Sequence, residues 1–519
     1  MSGGGPRVVV VGNGMAGFRF VQELLDRVTG LDVSVVGDEP GSAYNRARLP
    51  LVLAGTALQD SIELADAGWY AARGVRLVPG TASRIDRARH VLELADGPVL
   101  PYDLLVLAAG SAPVVPPADG LAGPDGGLPA GAVAFRTLAD CTEIRARTRA
   151  ARHAVVLGGG VLGLETACGL VGGGLPVTVV QRAPRLIERQ LDADAARVLA
   201  RTARALGVTV RAGTSVTTIR GAGRVTGVML GDGGSIDADL LVLCCGTRPR
   251  TGLARAAGLA LGAGVIVDDH MRTTDPDIFA IGDCAEHRGR THGLVAAAWA
   301  QARVAAHAVA ARAGGVTAGP GSVRTGSAGP RSAGSDPADP EPMGQDQDGY
   351  ADAPPVVRLK AAGIELAVLG SARGGRGEDV IRVTDHARGV YQKLVVRDGR
   401  LVGAILLGDT RAAGTLTQLF ERGAELPGDR LSLLAARRDG AAPAGAVPAA
   451  MPWDATVCQC NGVTKAAIRT AWESGARDAG QVAARTRAST GCGTCRDTVE
   501  GVVAWLAEAD PGLARVGAR

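Results

Sequence analysis

RVVVVGNGMAG, residues Arg7 to Gly17, decides how the rest of the chain is read: four consecutive valines run into Gly12, Gly14 and Gly17. A β-branched run of this kind reads as a parallel strand buried on both faces. The three glycines then permit a tight turn, close approach of backbone to a pyrophosphate, and helix-to-strand packing. The amphipathic stretch FRFVQELLDRV follows at once, and a second apolar strand, Leu31 to Val36, ends at Gly37, Asp38 and Glu39. A dinucleotide ribose meets a carboxylate at about this distance, so Asp38 is the expected ribose acceptor and Glu39 the second choice.

Working outward, a helix is expected over Ser61 to Arg73, and YDLLVLAAGSAP (Tyr102 to Pro113) reads as a buried strand closing on small residues. The opening pattern then returns. AVVLGGGVLGLETACGL places Gly158, Gly160 and Gly163 after a strand that starts at Ala154, and LPVTVV (Leu175 to Val180) supplies the next strand. LLVLCCGTRP (Leu240 to Pro249) echoes LLVLAAGSAP, a repeat at domain scale. Two such halves imply two dinucleotides. TTDPDIFAIGDCAE (Thr273 to Glu286) is a strand ending in Gly282 and Asp283 before an apolar helix, Leu294 to Ala311. A carboxylate there lies where an open α/β sheet puts its ligand and can accept hydrogen bonds from ribityl hydroxyls; the alternative role is a helix N-cap.

Composition narrows the class. With 519 residues, 46% of them hydrophobic, the chain holds several cores. Net charge is +4 and aromatic content 3%, which offers neither a basic nucleic-acid face nor a stacking platform. MSGGGP runs straight into the first strand without the features of a signal peptide, and no apolar run approaches a membrane span, so a cytoplasmic, membrane-free protein is expected.

Nine cysteines do not form a secreted disulfide pattern. Cys141, Cys168, Cys244, Cys245 and Cys284 sit in apolar surroundings and read as core filler, and no closely spaced pair lies near either glycine turn to serve as a flavin-linked disulfide. The other four are grouped: Cys458 and Cys460, then Cys492 and Cys495. Two close pairs of thiolates suit a tetrahedral zinc or an iron–sulfur cluster, which spacing alone does not separate; a chain with two dinucleotide turns favours iron. Thr464 is the expected N-cap of the first helix between the pairs, Gly475 its stop, and a third helix begins within CGTC.

Ala313 to Pro355 loses apolar periodicity and reads as a disordered insertion. Order resumes in a small α+β domain, with two alternating strands around the turn Asp398-Gly399, and Asp439 to Trp453 reads as a linker. The expected class is α/β: two Rossmann-like dinucleotide-binding domains, the first discontinuous with the second inserted in it, then a small α+β domain and a small helical metal unit. The expected boundaries are 1–115 and 236–312 for the first domain, 116–235 for the second, 313–355 for the insertion, 356–436 for the α+β domain, 437–455 for the linker and 456–510 for the metal unit.

On these motifs the chain resembles the pyridine nucleotide-disulfide oxidoreductase superfamily over residues 7 to 312. FRTLAD (Phe135 to Asp140), LIERQLD (Leu186 to Asp192) and LKAAGIEL carry a nearer likeness to the flavoprotein half of NADH-dependent nitrite reductase large subunits and to electron-transfer subunits of assimilatory nitrate reductases. The tail resembles the bacterioferritin-associated ferredoxin-like domain with its 2Fe-2S cluster. The resemblance implies FAD at Gly12, Gly14, Ala16, Gly17, Asp38, Arg136, Gly282 and Asp283, and NAD(P)H at Gly158, Gly160 and Gly163, with Glu165 near the nicotinamide. It implies a 2Fe-2S cluster on Cys458, Cys460, Cys492 and Cys495. Related ferredoxin reductases usually carry Pro-Leu-Ser-Lys where this chain reads Arg48-Leu49-Pro50-Leu51.

The expected function is oxidation of NAD(P)H by FAD and passage of single electrons through the cluster to a separate nitrate or nitrite reductase, with a homodimer compatible and no acid–base dyad required. The alternatives are a regulatory or iron-handling docking module on a flavoprotein, and a stand-alone ferredoxin or rubredoxin reductase. LPVTVV ends in Gln181-Arg182 instead of a carboxylate, so the residues permit NADPH while the resemblance implies NADH; NADH with weak discrimination is expected.

Overall fold

The computed structural model describes residues 5–123, 126–314, 349–352, 356–434, 448–453, 455–458, 461, 463–490 and 495–509. The chain divides into two compact units.

The first unit comprises Met1–Tyr44, Leu64–Ser111 and Pro249–Asp352. Its parallel sheet has the spatial order Ile278–Ala280, Leu104–Leu107, Arg7–Val11, Asp32–Gly37, Arg76–Pro79. The valine run is central: Val8 pairs with Val33 on one side and Leu104 on the other, and Val8 and Val10 are fully buried. Burial on both faces is why the run shows no alternation. Helices Met15–Leu25 and Val295–Arg312 pack together beside the sheet.

The second unit holds Asn45–Glu63, Ala112–Arg248 and Ala353–Arg519. Its parallel sheet, ordered Val208–Ala212, Val177–Gln181, Ala154–Leu157, Leu240–Leu243, Ala132–Ala134, repeats the arrangement of the first, with Ala154 between Val177 and Leu240. The echo between LLVLAAGSAP and LLVLCCGTRP is therefore structural, since each lies beside the central strand of its sheet. One consequence shifts an expected boundary. Leu240–Leu243 completes the second sheet, so the chain returns to the first unit at Pro249 and not at 236.

Two local expectations change. The helix over Ser61–Arg73 shrinks to Ala67–Ala72, capped by Asp66 on the Trp69 amide at 2.7 Å. Ahead of it, Leu64 N–H donates to Ala43 O and Ile62 O accepts from Asn45 N–H, which diverts backbone groups that a helix needs. The strands around Asp398-Gly399, Val390–Arg397 and Arg400–Leu407, do form a hairpin with positive φ at both turn residues. Yet they are buried along most of their length instead of alternating. Leu394, Val396, Leu401 and Leu406 join the core beneath helix Ala413–Glu421, while the opposite face meets helix Ala193–Ala205.

The C-terminal segment is a two-stranded ribbon, Thr456–Cys458 with Val463–Thr464, and three helices, Lys465–Glu473, Ala479–Thr486 and Arg496–Ala509. Thr464 is the N-cap, its hydroxyl accepting from the Ala467 amide at 3.2 Å. The last part of the expected linker belongs to this segment. Lys465, 1% exposed, donates to the carbonyls of Met451, at 2.8 Å, and Pro448, and its Nζ lies 4.1 Å from the Trp453 ring centre and 4.4 Å from that of Trp505. Most of the expected insertion, 315–348, lies outside the described residues, but Gly349–Asp352 is fixed to the first unit. Tyr350 is buried, its amide donates to Asp269 O at 2.6 Å, and its ring stacks edge-on against His287. Among the described residues no helix is long and apolar enough to cross a membrane.

Candidate functional site

Each glycine turn separates structural glycines from one that faces space. At Gly12, φ is +112°, and a Cβ would lie 2.2 Å from Ala108 O; at Gly17 it would lie 2.0 Å from Gly12 O. A Cβ on Gly14 would meet nothing within 4 Å. The second turn copies this, with Gly158 against Cys244 O, Gly163 against Gly158 O, and Gly160 open. Gly14 and Gly160 are the N-caps of helices Met15–Leu25 and Val161–Gly172, and neither helix has a side-chain cap or an acid in its first turn. Uncapped amides at the carboxyl end of a parallel strand, with room in front, fit a pyrophosphate. The residues present therefore suit two dinucleotides.

In the first unit Gly282, at φ +73°, approaches Ala16 so closely that an added Cβ would lie 2.9 Å from the Ala16 methyl, which sets the 282–284 turn against the helix start. The Gly282 amide donates to the buried Gln301 carboxamide at 2.8 Å. Asp283 accepts from Ser111 Oγ at 2.7 Å and does not cap the long helix, whose N-cap is Leu294. Asp38, about half exposed, pairs with Arg250 at 2.9 Å, and Glu39 accepts from Tyr44 Oη at 2.5 Å. Both expected ribose acceptors thus already hold a partner within the unit.

In the second unit Arg136 directly precedes a capping box, its amide donating to Asp140 at 2.8 Å. Glu165 is buried on the helix that follows Gly158 and Gly160. Where a ribose carboxylate is usual, Gln181 Oε1 accepts from the Gly159 amide at 2.8 Å, serving the turn without adding charge. Ile187, held at φ +46°, donates its amide to Gly159 O at 2.8 Å, a strained β-branched residue beside the turn. Arg185 pairs with Glu188 at 3.3 Å.

Burial raises the thiol pKa of Cys141, Cys168, Cys245 and Cys284 to about 11 and that of Cys244 to about 12. These five remain protonated, hence unreactive, at neutral pH.

Cys460 and Cys492 lie outside the described residues; Cys458 and Cys495 are buried. Cys458 Sγ accepts from Asn461 Nδ2 at 3.7 Å, and the Cys495 carbonyl opens the last helix by accepting from the Val499 amide. An amide donor on one sulfur and a helix start at the other suit thiolate ligands of a cluster. The turn leading to Cys492 is strained: Arg487 and Ser489 have φ of 64° and 61°. It is held by Asn461, which donates to Arg487 O and to Thr490 Oγ1, and by Asn45, whose Nδ2 donates to Thr490 O at 2.7 Å. Sequence reasoning passed over Asn45, Asn461 and Lys465. Only Asn461, next to Cys460, carried a signal.

Three families match successive stretches: pyridine nucleotide-disulphide oxidoreductase over residues 6–313, the rubredoxin NAD+ reductase C-terminal domain over 355–424, and a BFD-like 2Fe-2S binding domain over 456–505. Among relatives, an NAD(P)H nitrite reductase of Bacillus subtilis (strain 168) is 34% identical over 96% of this chain and 58% of its own length. An assimilatory nitrate reductase electron transfer subunit of the same organism is 31% identical over 97% of this chain and 60% of its own. The chain thus spans somewhat over half the length of these relatives. The covalent putidaredoxin reductase–putidaredoxin complex contains a chain with a TM-score of 0.69 and 27% identity, covering 84% of this chain and 99% of that one. With both glycine turns, their sheets and these matches in agreement, the chain belongs to the pyridine nucleotide-disulphide oxidoreductase family, which implies FAD and NAD(P)H, and it carries a BFD-like 2Fe-2S domain.

Proposed function

We propose that this chain oxidises NAD(P)H and delivers electrons one at a time to a separate nitrate or nitrite reductase. The observation that carries the proposal is the union in one chain of two uncapped glycine-turn helices and a cysteine unit with Cys458 and Cys495 buried. Bound FAD would supply hydride acceptance, and a 2Fe-2S cluster would supply one-electron transfer. The chain's own residues then bind and position. The amides behind Gly14 and Gly160 take the pyrophosphates, Ser111 holds the Asp283 carboxylate beside the first turn, and Cys458, Cys460, Cys492 and Cys495 ligate the irons. Asp38, Arg136 and Glu165 keep the roles that the resemblance implies, Asp38 after exchanging Arg250 for a ribose hydroxyl. The names of the Bacillus subtilis relatives support the choice of partner. A cytoplasmic location goes with NAD(P)H as donor.

The visible spectrum before and after anaerobic NADH is the first test, and both flavin and cluster absorbance should bleach. Reconstitution is the second. With NADH and a nitrate reductase the chain should form nitrite, and removing residues 456–519 should abolish this while sparing ferricyanide reduction. Equal nitrate reduction by the truncated chain would take the cluster off the electron path. The likeness to a putidaredoxin reductase chain supports a second reading, a reductase of a free ferredoxin or rubredoxin, which reduction of such a protein by the truncated chain would favour.

A further inference from the structure

The turn Arg487–Thr490 delivers the chain to Cys492, and residues from two distant parts of the second unit grip it. Asn461 reaches it from between the cysteine pairs. Asn45 reaches it across 445 positions of sequence, from the stretch that leaves Tyr44 and runs into Arg46–Arg48. Asn45 is 1% exposed, so on its side the 2.7 Å hydrogen bond to Thr490 O is shielded from water, and losing it would leave a buried amide short of a partner. A second contact joins the same segment to the small α+β domain, where a Cβ on Gly414 would lie 2.8 Å from Thr498 Oγ1.

A unit swinging freely on a linker would need none of these. The end of the linker is pinned as well, by Lys465 through the carbonyls of Pro448 and Met451. We infer that Asn45 is a positioning residue, a latch that holds the turn leading to Cys492 docked against the stretch after Tyr44, so that electrons enter the cluster from a docked state and not after a diffusive search. The inference rests on the proposed electron path. In the step concerned the reduced flavin gives up one electron and one iron of the cluster gains it; the second electron follows once the external reductase, or ferricyanide in its place, has reoxidised the cluster.

The test uses the loaded full-length protein, mixed anaerobically with NADH while flavin and cluster bleaching are followed separately. In the unsubstituted protein the cluster step should not slow as glycerol raises viscosity. Asn45→Ala, and Asn45→Asp, which cannot donate to a carbonyl, should slow the cluster step about tenfold or more and make it viscosity-sensitive, with iron content retained. Hydrogen exchange at the Ala488 and Thr490 amides should rise in both variants. Cluster reduction at the original rate with unchanged exchange overturns the latch, as does an unsubstituted protein whose cluster step slows in proportion to viscosity. If NADH leaves the unsubstituted cluster oxidised, the proposed function fails, and the exchange measurement alone then decides the docking: raised exchange upholds it and unchanged exchange ends it.

Discussion

At the scale of single residues, the glycines of the first turn make opposite predictions. Gly12→Ala forces a methyl to 2.2 Å from Ala108 O at a φ of +112°, so it should cost about 2 kcal/mol or more and lower the melting temperature even without flavin. Gly14→Ala meets open space and should leave the apoprotein fold intact, yet lose FAD, because the methyl fills the volume needed by the pyrophosphate. Melting curves of both apoproteins beside their flavin content check the pair, and equal flavin loss with equal destabilisation would contradict the assignment. Gln181 sets a second prediction. Its carboxamide accepts from the Gly159 amide and adds no charge against a 2′-phosphate, so NADH should be preferred only weakly. A kcat/KM preference for NADPH beyond about a hundredfold, nearly 3 kcal/mol, would show that Arg182 and Arg185 dominate instead.

Elements meet through Asp192, the last residue of LIERQLD and the N-cap of helix Ala193–Ala205. Burial works against its carboxylate, but the Ala195 amide, the Tyr391 hydroxyl at 2.7 Å and the Lys393 ammonium at 3.0 Å together hold its pKa below the ordinary range. Lys393 is nearly buried, so Asp192→Asn strands a cation and should cost about 2–3 kcal/mol at neutral pH. A carboxylate depressed in the folded state contributes fully above its unfolded pKa and loses that contribution as pH falls through the folded one. The gap between variant and parent should therefore be full above about pH 4 and close below it, as urea denaturation at several pH values would show. The cysteine segment makes its own prediction. Purified protein should hold about two irons and two acid-labile sulfides per chain, and Cys492→Ser should lose both while keeping FAD and hydride uptake. Stoichiometric zinc without labile sulfide would end the cluster assignment.

For the whole molecule, the question is which segments the fold requires. Deleting residues 315–348 should leave flavin content and NAD(P)H oxidation nearly unchanged, since that composition offers few apolar side chains to a core. The deletion must stop short of Tyr350. This ring is 3% exposed against His287, and Asp352, two residues on, pairs with His292 at 2.9 Å. Tyr350→Ala should cost about 3 kcal/mol by thermal denaturation, and a neutral effect would show that the anchor is dispensable.

The sequence alone determined what depends on local chemistry. A β-branched run into spaced glycines dictates strand, turn and helix because backbone sterics demand it, and the same chemistry repeated at Ala154 dictates the second sheet. Paired cysteines, the Thr464 cap and the Asp398-Gly399 turn are equally local. Tertiary structure decided what depends on residues distant in sequence. Leu240–Leu243 joined the second sheet because Ala154–Leu157 offered it an open edge, and the Val390–Leu407 hairpin lost its alternation because helices cover both faces. Asn45 met Thr490 across hundreds of residues, and Lys465 buried its charge among carbonyls and indoles. No periodicity announces such contacts. A polar side chain gains its role only when folding removes water and supplies a partner, and that partner is chosen by the packing of the whole chain.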